Sequence, residues 1–363
     1  MSVYIITLIL VCILCYLAEE YDWPEIDNND RMRVLHTPDA QKFYFMAALV
    51  LICVAGFRYR VGMDYMAYYK AYRTDIANLP YSLRTLNEPG FGIIAWIATR
   101  FYDDGAAVIF LSSLVTIALP LIINYRYTDQ LLFTTFLYVT VGAWGGSFNG
   151  VRQYLAAAIL FCGYRFLRER NLIGYCIIVF TAFLFHRSAI VFLILYVVAI
   201  SEASVRNTVF IILVSVLILL SYDRVFQIAN FIMDAEYSLQ DAYTAASVNR
   251  LRILATFIPT VVFIYFYYGK TKGDAENFAL NILIIRTASA ILAMNSALLY
   301  RINIYISLFT PLAITELIKG ISKDNKRIVI GLLALLYMIM WWYEIYKSNS
   351  MNNFHWIWER VSH

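Results

Sequence analysis

The stretch Phe57-Arg58-Tyr59-Arg60-Val61-Gly62-Met63-Asp64-Tyr65 places two guanidiniums and a carboxylate side by side just after an apolar run, with Tyr68 and Tyr69 following. Charge near lipid costs about 2.5–3.5 kcal/mol per residue on insertion scales, so such a grouping needs a reason. It is either a snorkelling anchor with an internal Arg–Asp pair or a site that grips an anion. A second grouping is Gly145-Gly146-Ser147-Phe148-Asn149-Gly150-Val151-Arg152-Gln153. Glycines and Asn149 break the chain there, and Arg152 and Gln153 open the next helix. Free N–H groups at a helix start plus an arginine suit an anion; the plainer alternative is a turn capped by Asn149. In Phe185-His186-Arg187-Ser188 the histidine is a candidate base, a phosphate donor, or the cap of a tight hairpin. In Tyr300-Arg301-Ile302-Asn303-Ile304-Tyr305 an arginine opens an apolar run, with Asn303 inside it. Glu88 precedes Pro89 in a loop, and Arg286 interrupts the run 277–298. Arg286 either faces a bundle interior or marks a misdrawn boundary.

The elements that must hold these groups are membrane helices. Of 363 residues, 61% are hydrophobic and 15% charged, against about 25% charged in a typical soluble domain. A span needs about 20 mostly apolar residues. Apolar runs fall at 3–18, 42–57, 105–123, 130–147, 151–167, 171–185, 188–200, 207–222, 251–268, 277–298, 302–318 and 327–346. The expectation is an all-α polytopic protein of about 12 transmembrane helices, with residues 1–363 as one integral membrane domain. The stretch 89–102 (PGFGIIAWIATRFY) is short and broken by glycine, so it is read as an interfacial or re-entrant helix. The first run lacks a positive leader and a small-residue cleavage site, so it is read as a retained span.

Basic connectors at 165–171, 269–277 and 319–327 share one face under this layout, which the positive-inside rule makes cytoplasmic. The opposite face then carries an external loop at 58–104 with its interfacial helices, a long external loop at 223–250, and every polar cluster described above. If 89–102 crosses instead, 58–88 changes side. Net charge is +4 and scattered, so no nucleic-acid patch is formed. Cys12, Cys15, Cys53, Cys162 and Cys176 lie in apolar runs with no metal-ligand grouping, so no metal and no cofactor are expected. Several arginines and one aspartate at a single membrane depth suit a ligand with a lipid tail and a phosphate head.

The stretches 58–69 (RYRVGMDYMAYY), 87–92 (NEPGFG), 147–156 (SFNGVRQYLA), 183–190 (FLFHRSAI) and 300–305 (YRINIY) resemble, in order and spacing, the EpsG family of exopolysaccharide proteins, which are related to Wzy-type polymerases. The segment 58–104 also resembles the first external loop of GT-C membrane glycosyltransferases. The resemblance implies a multi-pass protein of the bacterial cytoplasmic (inner) membrane that works in extracellular or capsular polysaccharide assembly. It implies glycosyl transfer from an undecaprenyl-diphosphate-linked oligosaccharide to an acceptor hydroxyl, among membrane lipids and other assembly proteins. On this expectation Asp64 is the first candidate base and His186 the second. Arg58, Arg60, Arg152 and Arg301 hold the diphosphate, and Glu88, Asn149 and Gln153 position substrate. The rival expectations are a flippase or exporter that moves the lipid-linked glycan without chemistry, and a single-sugar GT-C-type transferase.

Overall fold

The computed structural model describes residues 2–27, 30, 32–220, 250–267, 269–292, 297–348 and 350–360. The expected loop at 223–250 lies outside the described residues, apart from Arg250, which opens a helix.

Helix α1 (Ser2–Glu20) leads to a two-residue antiparallel ribbon, β1 (Glu25–Ile26) and β2 (Val34–Leu35), and α2 (Pro38–Gly56) returns. Thr37 starts α2: its side chain accepts the Ala40 N–H, and Pro38 fills the first turn, where a missing N–H costs nothing. Strand β3 (Arg58–Tyr59) follows, then α3 (Tyr65–Thr85) and α4 (Pro89–Phe101). Asp104 caps α5 (Gly105–Tyr127) by accepting the Ala106 N–H. α5 packs antiparallel to α2, with the Tyr44 hydroxyl on the Leu121 carbonyl at one end and Gly56 against Phe110 at the other. Thus α2 ends and α5 begins at the same end of the bundle, and α3 and α4 form a hairpin across that end. α4 exposes Trp96, Ile97 and Phe101 outward while burying Phe91, Ile94 and Ala95.

The rest of the chain shuttles between the two ends. The helices are α6 (Leu131–Thr140), α7 (Ala143–Gly146), α8 (Val151–Phe161), α9 (Tyr164–Arg168) and α10 (Leu172–Phe183). A 3-10 turn, Arg187–Phe192, enters α11 (Leu193–Ala199), followed by α12 (Val205–Leu220). Next come α13 (Arg250–Tyr267), α14 (Asp274–Leu292), α15 (Ala297–Ser307), α16 (Thr310–Lys319), α17 (Lys323–Lys347) and β4 (His355–Trp356). β4 pairs antiparallel with β3, and Arg360 bonds Asp104 and the Tyr69 hydroxyl, so the C-terminal segment straps the hairpin end.

Among the described residues five helices are long and apolar enough to cross a membrane: α1, α2, α5, α14 and α17. α15 and α16, bent by 47° at a short break, make a sixth if taken as one span. The remaining apolar helices are shorter than a full bilayer crossing of about 20 residues. The chain is therefore an all-α polytopic membrane protein, and twelve full-length spans are not what helix length and composition establish. Runs such as 130–147 and 302–318 are each split by a turn, which shortens their helices.

The end opposite the hairpin gathers the three basic connectors. Arg170 bonds Asp274 (2.9 Å), Lys319 pairs with Asp129 (3.0 Å), and the Tyr267 hydroxyl donates to the Leu317 carbonyl (2.8 Å). There too, His36 bridges the Asp22 carboxylate (2.5 Å) and the Tyr125 carbonyl (2.7 Å), with both side chains of the pair almost fully enclosed. Replacing His36 with alanine takes a donor from Asp22 Oδ2, whose other oxygen keeps the Thr37 N–H, and from the Tyr125 carbonyl, at about 1–3 kcal/mol for a stranded acceptor. The variant His36→Ala is expected to lower the melting temperature in detergent; an unchanged melt would show the bridge contributes nothing.

Candidate functional site

Two loops meet at the hairpin end. Gly62 has φ +106°, a left-handed conformation open to glycine, and a Cβ there would collide with the Phe148 carbonyl oxygen. That close approach lets the Met63 N–H donate to Asn149 Oδ1 (2.5 Å) and the Gly150 N–H donate to Asp64 Oδ2 (2.9 Å). Two polar segments are thereby cross-linked by their own backbone donors. Arg58 lies beneath this junction, 1% exposed. It donates to the Ala55 carbonyl, the Val61 carbonyl and Ser113 Oγ, and stands 4.7 Å over the Phe148 ring.

A second clamp joins the start of α4 to the turn after α10. Glu88 is held at φ +49°, a conformation that costs a non-glycine residue about 1–3 kcal/mol. Its Oε1 accepts from His186 Nδ1 (2.7 Å) and from the Arg187 N–H (2.9 Å). The Gly90 N–H donates to the Leu184 carbonyl (2.8 Å), and a Cβ on Gly90 would strike the Phe185 ring. Burial alone would raise the Glu88 carboxyl. The hydrogen bond and charge of His186, the Arg187 N–H and the charge of Arg152 outweigh it and hold the group below its ordinary value of 4.5. With the carboxylate on Nδ1, the other ring nitrogen of His186 has no partner among the described residues. α15 is tied in by Gln153 Nε2, which donates to the Arg301 carbonyl (3.0 Å), and by Ser188 against the Tyr305 hydroxyl (2.8 Å).

Two cavities open on this frame. The loop cavity, about 400 Å³, is lined by Asp64, Tyr68, Glu88, Arg152, His186 and Arg301. The bundle cavity, about 280 Å³, lies between the 142–150 segment and helices α13, α14, α15 and α17. Its polar lining includes Asn149, Arg252, Arg286, Asn303 and Glu344. Asp64, Gly150, Gln153 and Arg301 line both, so the two spaces meet at Asp64.

Of the residues singled out in the sequence, Asp64, Glu88, Asn149, Arg152, Gln153, His186 and Arg301 are brought together here. Arg58 and Arg60 line neither cavity. Arg58 spends donors on the loop and on Ser113, and Arg60 is exposed against the Tyr59 ring, so the structure does not bring these two to the cavities with the other expected ligands. Arg152 reaches the site already compensated: it bonds Asp75 (2.6 Å), stands 3.8 Å from Glu88, and stacks 4.9 Å over Phe91. Burial pushes the Asp75 carboxyl up, against the pull of Arg152. Asp75, Arg252 and Glu344 are functional candidates that sequence reasoning missed. Glu344 carried a signal, being an acid inside the run 327–346. Asp75 is the one acid of α3 but drew no notice, because it lies in a polar helix where a charge costs little.

The family model described as the EpsG family matches residues 41–357, nearly the whole chain. No curated protein and no solved structure matches it.

Two measurements check the geometry. Gly62→Ala strains the backbone by about 1–3 kcal/mol and pushes the two loops apart; a marked drop in melting temperature is expected, and a wild-type melt would mean the close approach is dispensable. For Glu88, a depressed folded value means stabilisation that is present above the ordinary 4.5 and lost as pH falls through the lower folded value. Glu88→Gln should therefore melt below wild type at neutral pH, with the gap closing as pH falls below the ordinary 4.5 and through the lower folded value. A gap that stays constant with pH would show that the carboxylate charge is irrelevant.

Proposed function

The chain belongs to the EpsG family, and from that premise we propose that it forms glycosidic bonds at the outer membrane–water boundary. An exopolysaccharide-related membrane protein handles glycans on lipid carriers. The proposed reaction moves a glycan from a polyprenyl diphosphate, undecaprenyl diphosphate being the expected carrier, to an acceptor hydroxyl. Polysaccharide polymerisation is the preferred form; addition of a single sugar, in the manner of GT-C enzymes, uses the same chemistry.

The observation that carries this reading is the Glu88–His186 pair beside Asp64. A carboxylate on Nδ1 fixes the imidazole's tautomer and orientation, leaving Nε2 as the acceptor for a proton. The acceptor hydroxyl would lose its proton to Nε2 as its oxygen bonds the anomeric carbon and the carrier diphosphate departs. Diphosphate is a good leaving group, so no acid is required on that side. Asp64 stands where the cavities join, and is assigned to hold the reacting hydroxyl or to steady positive charge on the sugar. This reverses the order of the two candidate bases, because Asp64 already accepts the Gly150 N–H while Nε2 of His186 has no partner among the described residues. Arg152 acts through Glu88 and is a positioning residue.

Orientation follows from charge. The three basic connectors lie at the end opposite the site, so the positive-inside rule turns the site outward. On this reading the twelve apolar runs cross the membrane of the bacterial cell, the shorter helices doing so in pairs or at locally thin bilayer. The hairpin α3–α4 lies along the interface, with Trp96 and Phe101 facing lipid.

One observation favours the rival reading of a carrier without chemistry: buried Arg286 and Asn303 extend the polar lining into the bundle. Product analysis separates the two. Purified protein given lipid-linked repeat units should lengthen the glycan, and His186→Ala should slow it by about 10²–10⁴-fold, the usual worth of a general base. Asp64→Asn should fall comparably. Wild-type chain extension by both variants rejects chemistry at this site, and translocation without a new glycosidic bond means a carrier.

A further inference from the structure

Arg286 on α14 is 3% exposed, yet its Nε and Nη1 meet no partner among the described residues. It lines the bundle cavity together with Arg252 and Arg301. Among the described residues the carboxylates of that cavity are Glu344, which is bonded by Arg252, and Asp64, which accepts the Gly150 N–H. Among the described residues neither carboxylate is bonded by Arg286, whose charge is buried. An uncompensated buried cation is costly unless an anion completes it. Asn303, also 3% exposed, shows the complementary lack: its Oδ1 is a buried acceptor with no donor among the described residues. The cavity thus asks for an oxyanion at Arg286 and a hydroxyl at Asn303. A sugar carrying a phosphate ester supplies both.

We propose that the bundle cavity is the subsite for the phosphate-bearing end of the glycan donor, with diphosphate oxygens on Arg286 and a hydroxyl of the first sugar on Asn303. The assignment rests on the glycosyl-transfer reading and deepens it. At about 280 Å³ the space is near the small end of ligand pockets, about 300 Å³, enough for a diphosphate and part of one sugar. Asp64, shared by both cavities, then stands between donor and acceptor. In the transfer the bond between the anomeric carbon and the diphosphate oxygen breaks. Its electron pair leaves with the diphosphate, where Arg286 meets the added negative charge. The new bond forms to the acceptor oxygen, whose proton passes to His186. Arg152 is thereby released from the role of phosphate ligand, consistent with the carboxylates that already surround it.

The test uses the full chain in lipid nanodiscs, with inorganic pyrophosphate titrated by calorimetry. Wild type is expected to bind it. Arg286→Met should weaken binding by roughly 100-fold, as expected when one partner of a buried charge pair is truncated. The same variant should melt at or above wild type without anion, because it removes an uncompensated buried charge. Arg286→Lys keeps the charge but loses the planar fork, so binding should fall by roughly tenfold. Wild-type affinity in either variant, or no binding by wild type, overturns the proposal. Polyprenyl diphosphate placed in the disc should displace pyrophosphate; failure to compete means the cavity takes a free anion and not the carrier's. His186→Ala separates the two readings, since it should bind pyrophosphate normally while losing turnover. Pyrophosphate binding by wild type without any glycan transfer sinks the enzymatic reading alone, and wild-type transfer rates in Arg286→Met sink the subsite alone.

Discussion

The docking of residues 62–64 onto residues 148–150 is the contact on which the rest of the site depends. Near a lipid boundary, backbone groups at helix ends lose their water, and each needs a partner from the protein. Here the Met63 and Gly150 N–H groups find theirs in the side chains of Asn149 and Asp64, each reaching across from the opposing loop. The exchange works only because Gly62 lets one backbone touch the other. It brings Asp64, near the start of α3, beside Gln153 on α8, although 89 positions in sequence separate them. Arg58 underpins the arrangement from below by filling acceptors that would otherwise be stranded in an apolar setting.

The charges above that junction are organised by compensation. Arg152 is shared between Asp75 and Glu88, Glu88 is shared between Arg152, His186 and a backbone N–H, and Arg252 answers Glu344. Such pairing keeps buried ions tolerable, since an isolated one is far more costly than a hydrogen-bonded pair. Arg286 departs from this pattern, which is why it draws attention as a place for a ligand. Compensation also sorts the arginines by role. Those already matched, Arg58 and Arg152, build the frame.

Much of the frame was legible beforehand. The apolar runs marked the helices, and the five polar stretches marked where helices end and what gathers there. In particular Arg58, Gly62 and Asp64 each carry a separate job in one short segment, which explains the spacing R-x-x-x-G-x-D. The same holds for Asn149, Gly150, Arg152 and Gln153. What the pattern could not disclose was which arginine faces a cavity. Arg58 and Arg152 look alike as charges at helix ends, and only their surroundings show that one is sealed beneath a loop while the other stacks on Phe91 between two acids. Asp75 was invisible because α3 is polar along its length. The segment after α17 gave no signal either, yet it pairs with β3 and bonds Asp104, because strand pairing and ion pairs across the chain leave no local periodicity.

By itself, then, the order of residues determined that this is a helical membrane protein and which side chains are too polar to sit in lipid without a partner. Those conclusions need nothing beyond the cost of moving charge and backbone out of water, which is a property of each segment alone. Only the tertiary structure decided that Glu88 bonds His186, that Asp64 joins two cavities, and that Arg286 is buried with no counterion among the described residues. Those facts depend on distances between segments far apart in the chain. No single segment carries that information, because hydrogen bonds and ion pairs form over a few ångströms between groups that the fold alone brings together.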